Sequence, residues 1–415
     1  MTPVPAHVGK FAAVSAVSGH LDTRTAATEV AAQLHDELIK IAGAERADAH
    51  LCDACLIFGS FHHRTAFADA CESIRTTLNP RALLGVTAEA VLGADAELEG
   101  VAGLSVIAMR LPGVKLTPWY STPDEPLPLN NPAAIRERLG IDDTFKFTTL
   151  IGDPFTTPIT KLLPAITSCQ SDTNNANRPI TVIGGMASGA SQPGLNVMVL
   201  NRAALHAGAI GLSFSGDFDA DFIVSQGCKP IGKPFVITKS HEYVVLQLGG
   251  RRAMDVLQET AQQLDEADRA LLSRGVLVGQ VVNEYKPRFG RGDFLVRNIM
   301  GFDQRTGGIV VGPGIKTGQS IQFHVRDADT AREDLELLLD AQRLGEKPFA
   351  GLLFTCNGRG TKLFSQPNQD VETIANALPA MPLAGFFAAG EFGPMGAKSH
   401  LHGHTASLVI LRERD

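Results

Sequence analysis

The sequence predicts an α/β protein of layered, mixed sheets, and three observations carry that reading. Short apolar runs of strand length alternate with stretches of helical periodicity. One cadence of strand, polar loop and helix start recurs along the chain. One late segment, Gly307 to Val325, reads as two strands around Gly-Pro-Gly-Ile-Lys-Thr-Gly, a hairpin that a purely parallel sheet would not contain.

Asp22 is placed to cap a helix whose apolar face is Ala27, Val30, Ala31, Leu34, Leu38 and Ile41, with Gly43 near its end. A second helix starts at about His63, carries Phe67, Cys71, Ile74 and Leu78, and stops at Asn79-Pro80. Met254, Leu257 and Leu264 mark a third. Asp327 caps a fourth, faced by Ala331, Leu335, Leu338 and Leu339 before Gly345, and Val371, Ile374 and Leu378 mark a fifth. The strand-length runs are Cys55 to Phe58, Leu104 to Met109, Ile180 to Ile183, Val197 to Leu200, Ala209 to Phe214, Tyr243 to Leu248, Gly308 to Val311, Ile321 to Val325, Leu352 to Thr355 and Ser407 to Leu411.

The cadence appears as ACLIFGSFHHRT from Ala54, TTLIGDPFTTPIT from Thr148 and GLLFTCNGRGTKLF from Gly351. Each is followed by a second strand ending in a Gly-containing turn, and then by a further strand around Val106, Val199 and Val409. Three related units, or an N-terminal pair with a C-terminal counterpart, fit this pattern. The proline-bearing stretch Thr117 to Pro132 reads as an exposed loop or linker.

At 415 residues the chain exceeds one ordinary hydrophobic core, so two domains are expected. A formal net charge of −7 argues against a surface that tracks phosphates, and nucleic acid is not an expected partner. No apolar run approaches membrane-spanning length, and the first residues lack the apolar core of a signal peptide. Six cysteines are too sparse for a disulfide scaffold. A cytoplasmic protein with reduced thiols is the expectation.

Common catalytic signatures fail. Gly211-Leu-Ser-Phe-Ser-Gly lacks the glycine a nucleophile elbow needs at its fifth position. Gly312-Pro-Gly-Ile-Lys-Thr-Gly precedes a strand rather than a helix, so no helix start is there for phosphate. Arg291-Gly-Asp293 is read as an ordinary turn. Cys52 and Cys55 with His50, His62 and His63, and the alternating His400, His402 and His404, have metal-like spacing; a buried strand and a polar strand edge explain them better. No cofactor is called for.

Three polar, Gly-rich segments remain. Thr355-Cys-Asn-Gly-Arg-Gly-Thr361 follows a strand, where α/β ligands usually bind, and Arg359 offers a planar fork for a carboxylate or phosphate. Ala389-Gly-Glu391-Phe-Gly-Pro394 also follows a strand and places a carboxylate in a turn. Ser225-Gln-Gly-Cys228-Lys-Pro230-Ile-Gly232-Lys-Pro234 reads as a rigid loop carrying one thiol. A cation, free amides and a carboxylate from these turns would together clamp a zwitterion such as an amino acid.

At these segments the sequence resembles the FIST family. The residues carrying the likeness are GAIGLSFSGDF, SQGCKPIGKPFVIT, GDFLVRNIMGFD, QFHVRDADTAREDL, LLFTCNGRG and GFFAAGEFGP followed by HLHGHTASLVIL. The resemblance implies a FIST N-terminal region over residues 1–240 and a FIST C-terminal region over 241–415. It implies a stand-alone sensory module for a small molecule, an amino acid or organic acid, with a signalling protein as possible partner. It points to Cys228, Cys356, Asn357, Arg359, Gly360, Gly390 and Glu391, with Arg297 and His402 behind them, as lining the ligand site. It assigns no catalytic set. The alternatives are a protein-interaction adaptor and a hydrolase or lyase using Cys228 or Cys356 as nucleophile with Glu391 or His402 as base.

Overall fold

The computed structural model describes residues 10–42, 50–169, 180–312 and 314–414. Gly43, Pro313 of the expected hairpin turn and residues 1–9 of the N-terminal stretch read for a signal peptide lie outside them. The chain divides into two compact units, one of Met1–Val224, Glu336–Leu401 and Ala406–Asp415, the other of Ser225–Leu335 and His402–Thr405.

The first unit contains three six-stranded sheets. Each has a parallel pair at its centre: Ala54–Ser60 with Ala82–Ala88, Phe145–Gly152 with Val182–Met186, and Pro348–Cys356 with Leu383–Ala388. The first strand of each pair is fully buried along its length, which is why the sequence shows continuous apolar runs there instead of alternation. A helix joins the two strands of each pair, over Phe67–Leu78, Ile159–Thr167 and Gln369–Ala377. Beside each pair lies an antiparallel strand: Leu104–Arg110, Ala209–Ser215 and Thr405–Arg412.

The hairpin that follows each parallel pair does not complete its own sheet. Val91–Gly93 pairs with Leu383–Ala388 of the third sheet, Met198–Leu200 with Ala82–Ala88 of the first, and Glu391–Met395 with Val182–Met186 of the second. The repeated cadence is therefore three related units that exchange hairpins around a ring. Their inner faces meet in one core that includes Phe58, Phe147, Phe214, Phe354 and Phe386. Phe147 stacks on Phe214 at 4.6 Å, and Phe386 sits 5.5 Å from both Phe58 and Phe354. Outer faces are covered by helices, as where Val30, Leu34 and Ile74 pack on Cys55 and Ile57.

Helix Thr23–Ala42 begins as its cap predicts: Asp22 accepts the Thr25 N–H at 2.8 Å. The third repeat has the same plan with one difference. Between its first strand, Asp219–Gln226, and its helix, Ala328–Asp340, the sequence runs through the second unit; at that point the first repeat has only a short turn.

The second unit is antiparallel throughout, in the order Phe294–Asn298, Leu277–Val281, Ser320–Arg326, Cys228–His241, Val244–Leu248, Gly308–Val310, Gly301–Asp303. Val256, Val278, Ile309, Ile321 and Phe323 lie at its core.

Several sequence expectations need correction. The supposed loop at Ser225–Pro234 is mostly strand, broken at Gly227; Gly232-Lys-Pro234 leaves the ladder as a bulge between Ile231 and Phe235, because proline cannot donate to it. Thr117–Pro132 is not all linker: Lys115–Ser121 is an edge strand, where Pro118 is tolerated, and Asn131 caps the helix that Pro132 opens. Gly308–Val310 and Ser320–Arg326 do not form a hairpin, since two other strands lie between them. Glu391 begins a strand, so only Ala389 and Gly390 make the turn.

Candidate ligand-binding site

Pro348–Cys356 delivers its last residue to the carboxyl end of the third sheet, and Asn357 to Gly360 turn the chain into a short 3-10 helix. The turn is fixed by the Asn357 N–H donating to the Ala388 carbonyl and the Arg359 N–H to the Cys356 carbonyl, both at 2.8 Å. The Gly358 N–H points at the Cys356 Sγ at 3.4 Å. Gly360 has φ +56, and a Cβ there would stand 2.4 Å from the Glu99 carboxylate, so glycine is required.

Arg359 is not an open fork. It is 0% exposed, and its Nε and Nη2 donate to Asp370 Oδ2 and Oδ1 at 2.9 and 2.6 Å. Thr355 Oγ1 donates to the same carboxylate at 2.7 Å. Burial opposes the charge on Arg359, and Asp370 outweighs it, raising the pKa. The expected clamp on a ligand carboxylate is corrected accordingly: this guanidinium anchors the loop to the helix behind it.

Asp370 is in the first turn of Gln369–Ala377, and Glu97, from the hairpin of the first repeat, caps that turn. Glu97 Oε1 accepts the N–H groups of Asp370 and Val371 at 3.0 and 3.2 Å. Burial, reinforced by the Asp370 charge, pushes the Glu97 carboxyl up to about 8. Glu99 of the same hairpin accepts the Thr361 N–H at 2.9 Å.

The outward side of this loop is differently equipped. Asn357 Nδ2 donates to Glu89 Oε2 at 3.0 Å, and Lys362 pairs with Glu89 Oε1. The Lys362 and Glu89 side chains keep 53% and 41% of their exposure. The Glu89 N–H donates to Ser188 Oγ at 2.9 Å, and Ser188 donates to the Phe387 carbonyl, so one hydroxyl ties all three repeats together. By register Ser60, Asp153 and Cys356 are equivalent strand ends, and Glu89, Ser188 and Ala389 equivalent turns.

Other expected residues lie elsewhere. Gly390 sits in the turn at φ +122, its carbonyl accepting the Met186 N–H. Glu391 is buried beside Gly185 in the second sheet rather than on the Arg359 loop. Cys228, Arg297 and His402 belong to the second unit. Cys228 packs with Leu277, Val281, Phe294 and Val296, a setting for an inert thiol. All six thiols are buried and none is in a disulfide, and burial raises Cys52, Cys55 and Cys71. Among the described residues no three His, Cys, Asp or Glu side chains converge on a metal position, at Cys52–Cys55 or at His400, His402 and His404 included.

Sequence reasoning missed Glu89, Glu97, Glu99, Ser188, Lys362 and Asp370. Aligning the three cadences would have placed Glu89 and Ser188 at matching turns. An apolar cleft of about 80 Å³ lined by Ala94, Ile374, Pro379, Met381 and Leu383 borders the other end of the helix and has no charged side chain in its wall.

The fold and these strand ends define a mixed α/β protein of three exchanged repeats with a second unit set into the third. The FIST N domain matches residues 53–251 and the FIST C domain residues 253–394, and the chain belongs to the FIST family. It is 34% identical over 404 residues to an uncharacterized protein of Mycobacterium tuberculosis, covering 95% of this chain and 98% of the relative. It is 33% identical over 401 residues to an uncharacterized protein of Mycobacterium bovis, covering 94% and 96%. No helix among the described residues is long and apolar enough to cross a membrane.

Proposed function

We propose that this chain is a sensory protein that binds a small polar ligand, an amino acid or similar zwitterion, at the carboxyl ends of the parallel strands around Asn357, Gly358, Lys362, Glu89 and Ser188. The observation that carries the reading is the exposed Lys362–Glu89 pair at that edge. An ion pair this open contributes little to the fold, so a ligand can exchange for it at small cost. Its cation takes a carboxylate, its anion takes an ammonium, and Asn357 and the backbone at Gly358 add directional hydrogen bonds. Cys356, just behind them, sets the floor. A signal to a protein partner follows only if the ligand prefers one arrangement of the chain over another.

Isothermal titration of the full chain with a panel of amino acids and organic acids tests this. At least one zwitterion is expected to bind saturably, with Glu89→Gln and Lys362→Met each weakening it about tenfold or more. A folded protein that gives no saturable heat with any member of the panel would rule the reading out, as would variants that bind as the parent does.

A further inference from the structure

Arg297 is half-buried and stands apart from the buried cations: Arg359 has Asp370, Arg412 has Asp221 and Lys146 has Asp219, but no carboxylate pairs with Arg297 among the described residues. Its Nε is fully buried without a hydrogen-bond acceptor. Burial alone acts on its ionisation, lowering the pKa with no acidic neighbour working against it. A guanidinium half out of water with no counter-charge is costly to keep.

Arg297 lies opposite Val278 in the antiparallel pair, and Gln280, two residues along, emerges on the same face. Gly314, at φ +95, overhangs both: a Cβ on it would come 3.7 Å from Arg297 Nη2, and its carbonyl accepts from Gln280 Nε2 at 3.3 Å. That bond fixes the amide orientation, and Gln280 Oε1 is left buried with no donor. The side chain of Lys316, two residues beyond Gly314, is exposed.

We propose that Arg297, Gln280 and the Gly314 turn form an oxyanion-binding site in the second unit, for a small anion that also carries one hydrogen-bond donor. The fork takes two oxygens of the anion, as planar guanidinium groups do. The orphaned Gln280 oxygen accepts the donor, which a singly protonated phosphate supplies and sulfate does not. The absence of a side chain at Gly314 leaves room for the guest. This site is independent of the zwitterion reading above, whose Glu89 and Lys362 variants should leave it unaffected.

The test is titration calorimetry on the full chain with sodium phosphate, sulfate and acetate near pH 7 at matched ionic strength. Phosphate is expected to bind saturably in the millimolar range or tighter, and about tenfold better than sulfate. Arg297→Met should abolish phosphate binding while raising or preserving the melting temperature, since it removes an uncompensated charge. Should that variant fail to fold, Arg297→Lys keeps the charge without the fork and should weaken phosphate about tenfold. Gln280→Leu should erase the preference over sulfate. Absence of saturable binding by all three anions, or phosphate binding unchanged in the Arg297 variants, overturns the proposal; equal affinity for phosphate and sulfate in the parent chain overturns the role of Gln280.

Discussion

Asp370 holds one edge of the Arg359 guanidinium, Nε and Nη2, out of contact with water, while Nη1 is buried without a hydrogen-bond partner; removing one member of such a buried pair leaves the other charge uncompensated. Arg359→Met should lower unfolding free energy by about 3–5 kcal/mol in urea titrations, because Asp370 is left charged and unpaired. The double variant with Asp370→Asn should lose less than the two single losses combined. A ligand-only role for Arg359 would leave stability unchanged. Glu97 gives the pH counterpart. Its carboxyl is raised to about 8 from an ordinary value of 4.5, so the folded state holds a proton that the unfolded chain releases. Its contribution is complete below the ordinary carboxylate range and is lost as pH rises through about 8. Glu97→Gln, which can still accept both N–H groups, should therefore flatten the fall in stability between pH 5 and pH 9; an unchanged slope would show that Glu97 is not the group. The loop itself was legible from its glycines, its Arg and its place after a strand. Its partners were not. Asp370 lies 11 residues on and Glu97 is 273 residues from the N–H groups it caps, and neither separation leaves a local pattern.

Among the elements, the third parallel pair is the most closely fitted. A Cβ on Gly385 would stand 1.7 Å from the Leu353 carbonyl oxygen, and that oxygen belongs to the backbone of the neighbouring strand. Gly385→Ala should cost more than about 2 kcal/mol in urea unfolding, since neither strand can shift without opening the ladder. A loss of a few tenths would mean that the pair breathes more than its geometry implies. The three parallel pairs were readable because strands buried on both faces need continuous apolar runs, and five helices were readable because one face is buried and one is wet. Strands that carry proline were not. Pro230 and Pro234 disguised Cys228–His241 as a loop, and Pro118 disguised Lys115–Ser121 as part of a linker, although edges and bulges admit proline. The helix Glu266–Leu272 was missed because it is only seven residues long and fully buries none of them, Leu271 and Leu272 alone packing partly on the core.

Across the whole first unit, hairpin exchange makes every sheet depend on a neighbour. The first sheet is completed by the second repeat, the second by the third and the third by the first, so no repeat can bury its own sheet edge alone. The repeat was visible in the sequence as an echo, but the exchange was not, because a short hairpin pairs as well with one edge as with another until the ring closes. Unfolding of one repeat should then expose an edge and core surface on the other two. Phe58 tests this from the first sheet, since its ring lies 5.5 Å from Phe386 and 6.3 Å from Phe354 of the third. Phe58→Ala should cost about 3–5 kcal/mol. In native-state hydrogen exchange the loss should appear with similar size in Ala54–Ser60, Phe145–Gly152 and Pro348–Cys356, although Phe145–Gly152 lies in another repeat. If protection falls in the first sheet while the second keeps its original rates, the repeats open one at a time and the ring does not couple them.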